Sequence, residues 1–234
     1  MSQTIRNTQI QENLAAVRSR IEEACHASGR DPKEVTLLAV SKTKPVEDIR
    51  MAMAAGQRSF GENYVQELTE KYTELKDETD FQMIGHLQRN KVKNVIGKVS
   101  LIHSVDSVPL AKEIEKQAAQ QDKLVDILLE VNIAGEETKW GFTRDTAKGA
   151  AAQIKEMPHV RVLGLMTSAP ITEDPESNRI HFRHLKELAD EMANTDLLDT
   201  KKPVLSMGMT LDYAVAVEEG ATIVRVGTAI FGNR

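Results

Sequence analysis

The chain is poor in cysteine and in aromatic residues. Its 234 residues include one cysteine, and only 4% are Phe, Trp or Tyr. A single cysteine excludes an internal disulfide framework and fits a reducing compartment, so we expect a cytoplasmic protein. Cys25 itself lies within a helical pattern, where packing explains it better than catalysis does.

Long hydrophobic runs and long blocks of one charge are also missing. No apolar segment approaches the length of a transmembrane helix, and the polar N-terminus lacks the apolar core of a signal peptide. Thirty Lys and Arg against 35 Asp and Glu give a net charge of −5. These features argue against binding to membranes or nucleic acids. With 41% hydrophobic residues, residues 1–234 are expected to form a single domain with a substantial core.

Apolar runs and helical segments alternate along the chain after an N-terminal amphipathic helix. That helix is predicted over residues 8–27, with capping-box spacing at Thr8 and Gln11. Strands are predicted near 35–41, 59–62, 81–85, 101–105, 125–133, 160–167, 204–208 and 222–228. Helical patterns fill most of the intervals, over 45–55, 63–77, 87–97, 107–121, 144–156, 176–194 and 211–219. This alternation predicts βαβ units and a parallel sheet.

Eight strands are the number that closes a (β/α)8 barrel, or TIM barrel, and we expect this α/β fold. Only six residues follow the last predicted strand, too few for an eighth outer helix, whereas an extra helix precedes the first strand. Because both ends of the chain are neighbours in a closed barrel, the N-terminal helix can cover the surface that a C-terminal helix usually covers. An open doubly wound sheet is the alternative.

A lysine directly follows the first buried strand. In a (β/α)8 enzyme the active site lies at the C-terminal ends of the strands, which places Lys42 at the edge of a dry cavity. Desolvation at such a position lowers the pKa of a lysine and makes it a Schiff-base nucleophile. The competing interpretation is a solvated lysine in a strand-to-helix loop.

The ends of the last two strands carry hydroxyl groups and glycines. Loops after strands seven and eight form the recurrent phosphate site of this fold. Ser206 and Thr228 supply hydroxyls there, and Gly208 and Gly227 let backbone N–H groups approach closely. The helix that begins near Thr210 points its positive end at the same space. Ordinary turn glycines and helix caps are the alternative for each residue alone, but together they favour a phosphate site.

Arg225 is expected to point into the barrel mouth, since it stands two residues before Gly227. A buried arginine needs an acceptor, for which a structural carboxylate and a pyridine nitrogen are the candidates. Lys42, a phosphate cup and a central Arg225 describe a site for pyridoxal 5′-phosphate (PLP), because its aldehyde, phosphate and ring nitrogen each meet a partner. A class I aldolase would share the lysine and the cup, but it gives Arg225 no clear task.

Six segments, taken in order, are specific to one protein family. They are LLAVSKTKP at 37–45, FGENYVQE at 60–67, IGHLQRNK at 84–91, GLMT at 164–167, LSMGM at 205–209 and VRVGTAIFG at 224–232. Through these segments the chain closely resembles the PLP homeostasis protein family, single-domain relatives of the alanine racemase barrel. The resemblance covers nearly the whole chain, from the N-terminal helix to Gly232.

The resemblance implies a PLP-bearing barrel of fold type III, in which Lys42 forms the Schiff base and Arg225 faces the pyridine nitrogen. It also implies a phosphate cup of Ser206, Gly227 and Thr228, and a pocket lined by further residues of the strand ends. The predicted cofactor-binding residues are Lys42, Asn63, Met166, Ser206, Met207, Gly208, Arg225, Gly227 and Thr228.

The family is regarded as binding PLP and buffering or delivering it to other enzymes, without an established catalytic activity. The chemistry of Arg225 agrees, because a charged arginine keeps the ring nitrogen neutral and weakens the ring as an electron sink. A racemase also needs an acid–base group on each face of the cofactor, and none of Tyr64, Tyr72 and Tyr213 is an obvious partner for Lys42. We therefore expect a PLP carrier, with a weak racemase as the alternative.

The expected partners are PLP and apo PLP-dependent enzymes, and the expected state is a monomer without catalytic residues. His181 and His184 have the helical spacing of a metal pair, but no third ligand is evident, so no metal is predicted. Helix capping and solvation explain Glu62 and Asp212 as well as a carboxylate pair does. Trp140 is expected to pack over the barrel edge.

Overall fold

A computed structural model describes residues 3–232 of the chain. Its parallel strands close into a barrel in sequence order. The strands are β1 Thr36–Val40, β2 Ser59–Glu62, β3 Asp80–Met83, β4 Leu101–Val105, β5 Val125–Glu130, β6 Val160–Met166, β7 Val204–Ser206 and β8 Ile223–Val226. Because β1 pairs with β8, the predicted (β/α)8 barrel is confirmed and the open sheet is wrong.

Helices connect the strands on the outside of the barrel. They are α1 Gln3–Ala27, α2 Val46–Ala54, α3 Val65–Leu75, α4 Val108–Gln120, α5 Arg144–Ile154, α6 Arg179–Asn194, α7 Tyr213–Glu218 and α8 Thr228–Phe231, with 3-10 helices at Pro32–Glu34, Arg89–Asn94 and Pro175–Asn178. The predicted helix over 87–97 is wrong. A 3-10 segment forms there instead, with hydrogen bonds between residues three apart, and Gly97 adopts a positive φ of 78° in the turn that follows. Leu87, Val92, Val95 and Ile96 are nevertheless buried, so tight turns rather than an α-helix cover this part of the barrel. Within residues 3–232, no helix is long and apolar enough to cross a membrane.

Helix α1 covers the barrel beside its first and last strands. The five apolar side chains of its inner face are all buried: Ile10, Leu14, Val17, Ile21 and Ala24. Asn13 donates to the Ile230 carbonyl at 2.9 Å, and Arg18 donates to the Ala55 carbonyl at 2.8 Å. The helix therefore lies between α8 and α2, in the position expected from the sequence.

The start of α1 differs from the prediction. Thr8 lies inside the helix, and its hydroxyl donates to the Thr4 carbonyl at 3.2 Å. A capping-box residue would instead accept from a backbone N–H at the helix start, so the predicted capping box is wrong. The helix begins earlier because the turn before Thr8 is also bonded to the barrel: Arg6 donates to Asp48 at 2.6 Å and to the Phe231 carbonyl at 2.8 Å.

The barrel interior changes from apolar to polar along the strands. Leu38, Leu101, Leu128, Met166 and Ile223 form an apolar cluster inside the barrel. Since side chains alternate along a strand, residues two positions further on point inward as well. On β4, β7 and β8 these are polar side chains, and they lead to the mouth formed by the C-terminal strand ends.

Candidate cofactor site

Lys42 lies in a tight turn directly after β1. The Ser41 carbonyl accepts from the Lys44 N–H at 3.0 Å, so Lys42 and Thr43 are the central residues of a β-turn. Thr43 has a φ of 62°, in the left-handed region that β-branched residues rarely adopt. Lys42 is half-buried. It follows the C-terminal end of β1, and its role as the Schiff-base lysine stays a prediction.

A buried ion pair lies beneath this turn. Lys71 of α3 donates to the Ser41 carbonyl at 2.8 Å, to Glu62 at 2.8 Å and to Glu67 at 3.1 Å. The Ser41 hydroxyl donates to Glu62 at 2.6 Å, and Glu67 accepts from the Thr43 N–H at 2.7 Å. Burial raises the pKa of Glu62, and Lys71 opposes this effect. The solvated Glu62 considered from the sequence is therefore wrong, because the side chain has no exposed surface.

Arg225 is buried inside the barrel below the mouth. Its guanidinium donates to the Ser206 hydroxyl at 2.7 Å and to the Thr167 carbonyl at 2.8 Å. Burial lowers the pKa of Arg225 to about 10, against the nearby carboxylates of Glu130 and Asp212, so the side chain remains a cation at neutral pH. No carboxylate within residues 3–232 accepts a hydrogen bond from it. The structural carboxylate considered from the sequence is thus not its partner.

A chain of hydrogen bonds continues from Arg225 across the interior. His103 Nδ1 lies 2.8 Å from Ser206 Oγ, and His103 Nε2 lies 2.8 Å from Gln82 Oε1. Gln82 in turn donates its amide to Asp80 at 2.8 Å, which leaves its oxygen as the acceptor for His103. Burial, helped by the charge of Arg225, lowers the pKa of His103. The neutral ring therefore accepts the Ser206 proton at Nδ1.

The loop after β7 is shaped by a glycine and a buried carboxylate. Gly208 has a φ of 89°, and a Cβ on it would lie 2.5 Å from the Ala216 Cβ, so only glycine fits. Asp212 accepts from the Met209 N–H at 2.7 Å and from the Asn178 amide at 2.8 Å. The helix capping and the solvation considered for Asp212 are therefore wrong, because its side chain makes no capping bond to α7 and is buried; it holds the loop instead.

The loop after β8 brings a second glycine and a hydroxyl to the mouth. Gly227 precedes α8, and a Cβ on it would lie 3.2 Å from the Val40 carbonyl oxygen. Thr228 begins α8 and is exposed, and Thr210 of the neighbouring loop is half-buried. The hydroxyl of Ser206 differs from both, because His103 and Arg225 already engage it. Its place in a phosphate cup stays a prediction.

Three further predicted residues occupy different places. Asn63 Oδ1 is buried and has no hydrogen-bond partner among residues 3–232, which fits a site whose missing donor is a bound molecule. Met166 ends β6 and belongs to the apolar cluster inside the barrel. Met207 is buried in the layer between the barrel and the helices, so its side chain is turned away from the mouth.

Sequence reasoning missed Glu130, which ends β5 two residues after the inward-facing Leu128. Burial and the neighbouring Asp106 raise the pKa of Glu130 to about 7, and Arg225 opposes this effect. An acidic residue at a strand end has no distinctive local pattern. It becomes a candidate only when the strand register shows which side chains face the barrel interior.

The far side of the mouth carries Trp140 and His86. Their rings stack with centroids 4.4 Å apart, and His86 Nδ1 lies 3.0 Å from the Asp106 carboxylate. Trp140 is 63% exposed, so its predicted packing over the barrel edge is limited to the contact with His86. Within the part of the chain that the structure describes, no three His, Cys, Asp or Glu side chains form a group that could hold a metal ion.

Comparison with known proteins agrees with this geometry. Residues 8–234 match the family described as alanine racemase, N-terminal domain. The pyridoxal phosphate homeostasis protein of Aquifex aeolicus is 48% identical over 224 residues, which cover 95% of this chain and 97% of that protein. The chain belongs to the pyridoxal phosphate homeostasis protein family. The resemblance found from its six sequence segments is thereby confirmed.

Solved structures extend the comparison to the fold. PipY of Synechococcus elongatus, in a structure with PLP bound, superposes with a TM-score of 0.83 at 35% identity, covering 96% of this chain and 100% of that one. The alanine racemase of Corynebacterium glutamicum superposes with a TM-score of 0.70 at 18% identity, covering 97% of this chain and 62% of that one. At this identity, the similarity to the racemase shows only that the two proteins share the barrel fold.

Proposed function

We propose that this family member binds PLP covalently on Lys42 and buffers or delivers it to apo PLP-dependent enzymes. The observation that carries the proposal is Arg225, a buried cation whose hydrogen bonds go to neutral acceptors, at the same mouth as the turn that bears Lys42. The PLP-bound structure of PipY and the names of the curated relatives support it. A cytoplasmic location and a monomeric state belong to the same proposal.

The residues at the mouth fit the three ends of PLP. Lys42 would bond to the aldehyde carbon, Arg225 would face the ring nitrogen, and the loops after β7 and β8 would take the phosphate. The buried oxygen of Asn63 would gain a donor from the ligand, which removes the cost of an unpaired acceptor. When bound, PLP supplies an electron-withdrawing ring beside an aldehyde carbon. Arg225 would limit that withdrawal, because it keeps its own proton at neutral pH.

Binding without efficient turnover follows from the groups around this site. Tyr72 donates its hydroxyl to the Gly97 carbonyl at 3.2 Å, outside the mouth, and Tyr64 is half exposed. A weak racemase is the second candidate function, and Glu130 is the observation that favours it. A carboxyl group with a pKa of about 7 suits general acid–base chemistry at neutral pH.

Reduction with borohydride followed by peptide mapping tests the covalent site. We expect a phosphopyridoxyl group on Lys42 in the unmodified protein and its loss in Lys42→Ala. Lys44→Ala is the matched control, because Lys44 lies two residues away and donates to the Gly232 carbonyl at 3.1 Å. Label on Lys44 with none on Lys42 would refute the assignment.

Cofactor transfer and proton exchange separate the two candidate functions. The PLP-loaded protein should reactivate an apo PLP enzyme at a rate no slower than its own release of PLP allows. In deuterated water it should exchange the α-proton of alanine far more slowly than a dedicated racemase, and Glu130→Gln should remove any residual exchange. Rapid and stereochemically complete racemisation would instead establish an enzyme.

A further inference from the structure

The peptide groups on either side of Lys42 are held by side chains of α3. The carbonyl before it, on Ser41, accepts from Lys71 at 2.8 Å, and the N–H after it, on Thr43, donates to Glu67 at 2.7 Å. Neither side chain contacts Lys42 through these bonds. They act on the backbone that carries it, so they fix where the Lys42 side chain begins.

Every N–H group of Lys71 has an acceptor in this cluster. Lys71 has three N–H hydrogens, and it meets three acceptors: the Ser41 carbonyl, Glu62 and Glu67. The exposed fraction of the side chain is 7% for Lys71 and 0% for Glu62. A buried ion pair is often no more stabilising than apolar side chains of the same size. Stability alone therefore gives little reason for one here.

The backbone of the turn is strained at Thr43, and this strain is a reason for the turn to be held by its neighbours. A threonine with a φ of 62° is strained, since its branched Cβ crowds the backbone in the left-handed region. Thr43 is also exposed, so no packing around its side chain imposes this conformation. The bonds to Lys71 and Glu67 add to the Lys44–Ser41 hydrogen bond of the turn in opposing its relaxation.

We propose that Lys71, together with Glu62 and Glu67, is a positioning unit that holds the Lys42 turn in its strained conformation and so presents the Lys42 amine to PLP. This inference rests on the proposed function. In the step concerned, Lys42 Nζ bonds to the aldehyde carbon of PLP, and the aldehyde oxygen leaves as water. The positioning unit takes no part in that bond change. It determines how often the Lys42 amine lies close enough to the aldehyde carbon to bond to it.

Lys71→Met tests the proposal, with Lys98→Met as the matched control. Lys98 is a half-buried lysine near α3 that donates to the Thr69 hydroxyl at 3.5 Å. Two quantities are measured: the rate of PLP attachment to Lys42, and the affinity for pyridoxine 5′-phosphate, which lacks the aldehyde. We expect Lys71→Met to slow attachment by about 10- to 100-fold, with the affinity for pyridoxine 5′-phosphate almost unchanged. Lys98→Met should change neither.

Rescue by glycine separates positioning from general support of the fold. Glycine adopts a positive φ without strain. The double variant Lys71→Met/Thr43→Gly should therefore attach PLP several-fold faster than Lys71→Met alone. Glu67→Ala, at a half-buried position, gives a milder test if Lys71→Met does not fold. It should slow attachment by a smaller factor, and Thr43→Gly should rescue it too.

The outcomes distinguish this inference from the function on which it rests. If the unmodified protein attaches no PLP to Lys42, the proposed function is wrong. If it does, but both α3 variants attach PLP at the unmodified rate, only the positioning role is wrong. A parallel loss of attachment rate and of pyridoxine 5′-phosphate affinity, without rescue by Thr43→Gly, would also overturn the positioning role.

Discussion

Two buried polar networks flank the candidate PLP site, and they are built from different kinds of group. The cluster between β2 and α3 is ionic, with Lys71 between Glu62 and Glu67. The chain inside the barrel contains one buried cation, Arg225, and continues through neutral hydroxyl and imidazole groups. The first network binds peptide groups of a turn, whereas the second binds a side chain.

The difference follows from what each network must hold. A strained turn is best held by charged partners, because hydrogen bonds to charged groups are about twice as strong as neutral ones. Arg225 has the opposite requirement, since a bonded carboxylate would use its N–H groups and compensate its charge. Neutral acceptors orient the guanidinium and leave its charge available for the ring nitrogen that we propose as its partner. The following predictions test this contrast between an ionic and a neutral network.

Removing the cation from the ionic network should have the largest effect on stability. Lys71→Met leaves Glu62 buried without its partner, so we expect a loss of about 3–5 kcal/mol in the free energy of unfolding, measured by urea denaturation. The double variant Glu62→Gln/Lys71→Met contains no unpaired charge at these positions and should regain most of that loss. An equal loss in the single and double variants would mean that the pair is not coupled.

Breaking the neutral network should cost less, and the cost should depend on pH. His103→Leu leaves Gln82 and Ser206 each short of a partner, for which we expect a loss of about 1–3 kcal/mol at pH 8. The pKa of His103 is lowered from 6.5 in the folded protein. Below that pH the unfolded chain binds a proton that the folded chain does not, so the unmodified protein loses stability. The difference between variant and unmodified protein should therefore shrink from pH 8 to pH 5, and a widening would contradict a neutral His103.

Glu130, which faces the neutral network from β5, should show the opposite pH dependence. Its pKa is raised from 4.5 to about 7, so the folded protein keeps a proton that the unfolded chain loses. The cost of ionising it appears as the pH rises from about 4.5 and is complete above about 7. Glu130→Gln should have the stability of the unmodified protein near the lower pH and be more stable by up to about 3 kcal/mol at pH 8. Equal stability at pH 8 would show that Glu130 ionises without cost.

The smallest expected effects separate the two hydroxyls predicted for the phosphate. Thr228→Val should weaken PLP binding by about tenfold, because it removes a hydrogen bond to a charged group, and should leave pyridoxal binding almost unchanged. Ser206→Ala should weaken PLP and pyridoxal by the same smaller factor, since Ser206 acts through Arg225 and the ring nitrogen is common to both ligands. Equilibrium titration with the two ligands measures both effects. If Ser206→Ala weakened the binding of PLP but not of pyridoxal, Ser206 would belong to the phosphate cup.

Much of the fold could be predicted because it depends on local patterns. The alternation of apolar runs with helical segments indicated eight strands, and the amphipathic pattern over residues 8–27 indicated α1. The strand ends then indicated which residues meet at the mouth, and this brought Lys42 and Arg225 together before any contact was known. The prediction over 87–97 was wrong because the apolar spacing of Val92, Val95 and Ile96 suits an α-helix, whereas the chain buries these same residues with a 3-10 segment and turns.

The networks behind the site could not be predicted in this way. Glu67 and Lys71 have the spacing of an ordinary surface pair on a helix, and only the packing of α3 against β2 shows that they face the Lys42 turn. His103 and Glu130 point inward only once the register of their strands is known. Local sequence therefore revealed the residues expected to contact the ligand, while tertiary packing was needed to find the residues that hold them.

The position of α1 also bears on how the chain reaches its fold during synthesis. The ribosome makes α1 first among the described elements, yet the helix packs against α8, the last of them, through the Ile230 carbonyl bonded to Asn13. The part of its apolar face beside α7 and α8 therefore stays uncovered until nearly the whole chain has been made, whereas α2 follows it early. Such contacts between distant parts of a sequence form late and slow the folding of a domain. The nascent protein therefore exposes part of the apolar face of α1 until β8 and α8 have been made. Chaperones would bind the chain in this interval.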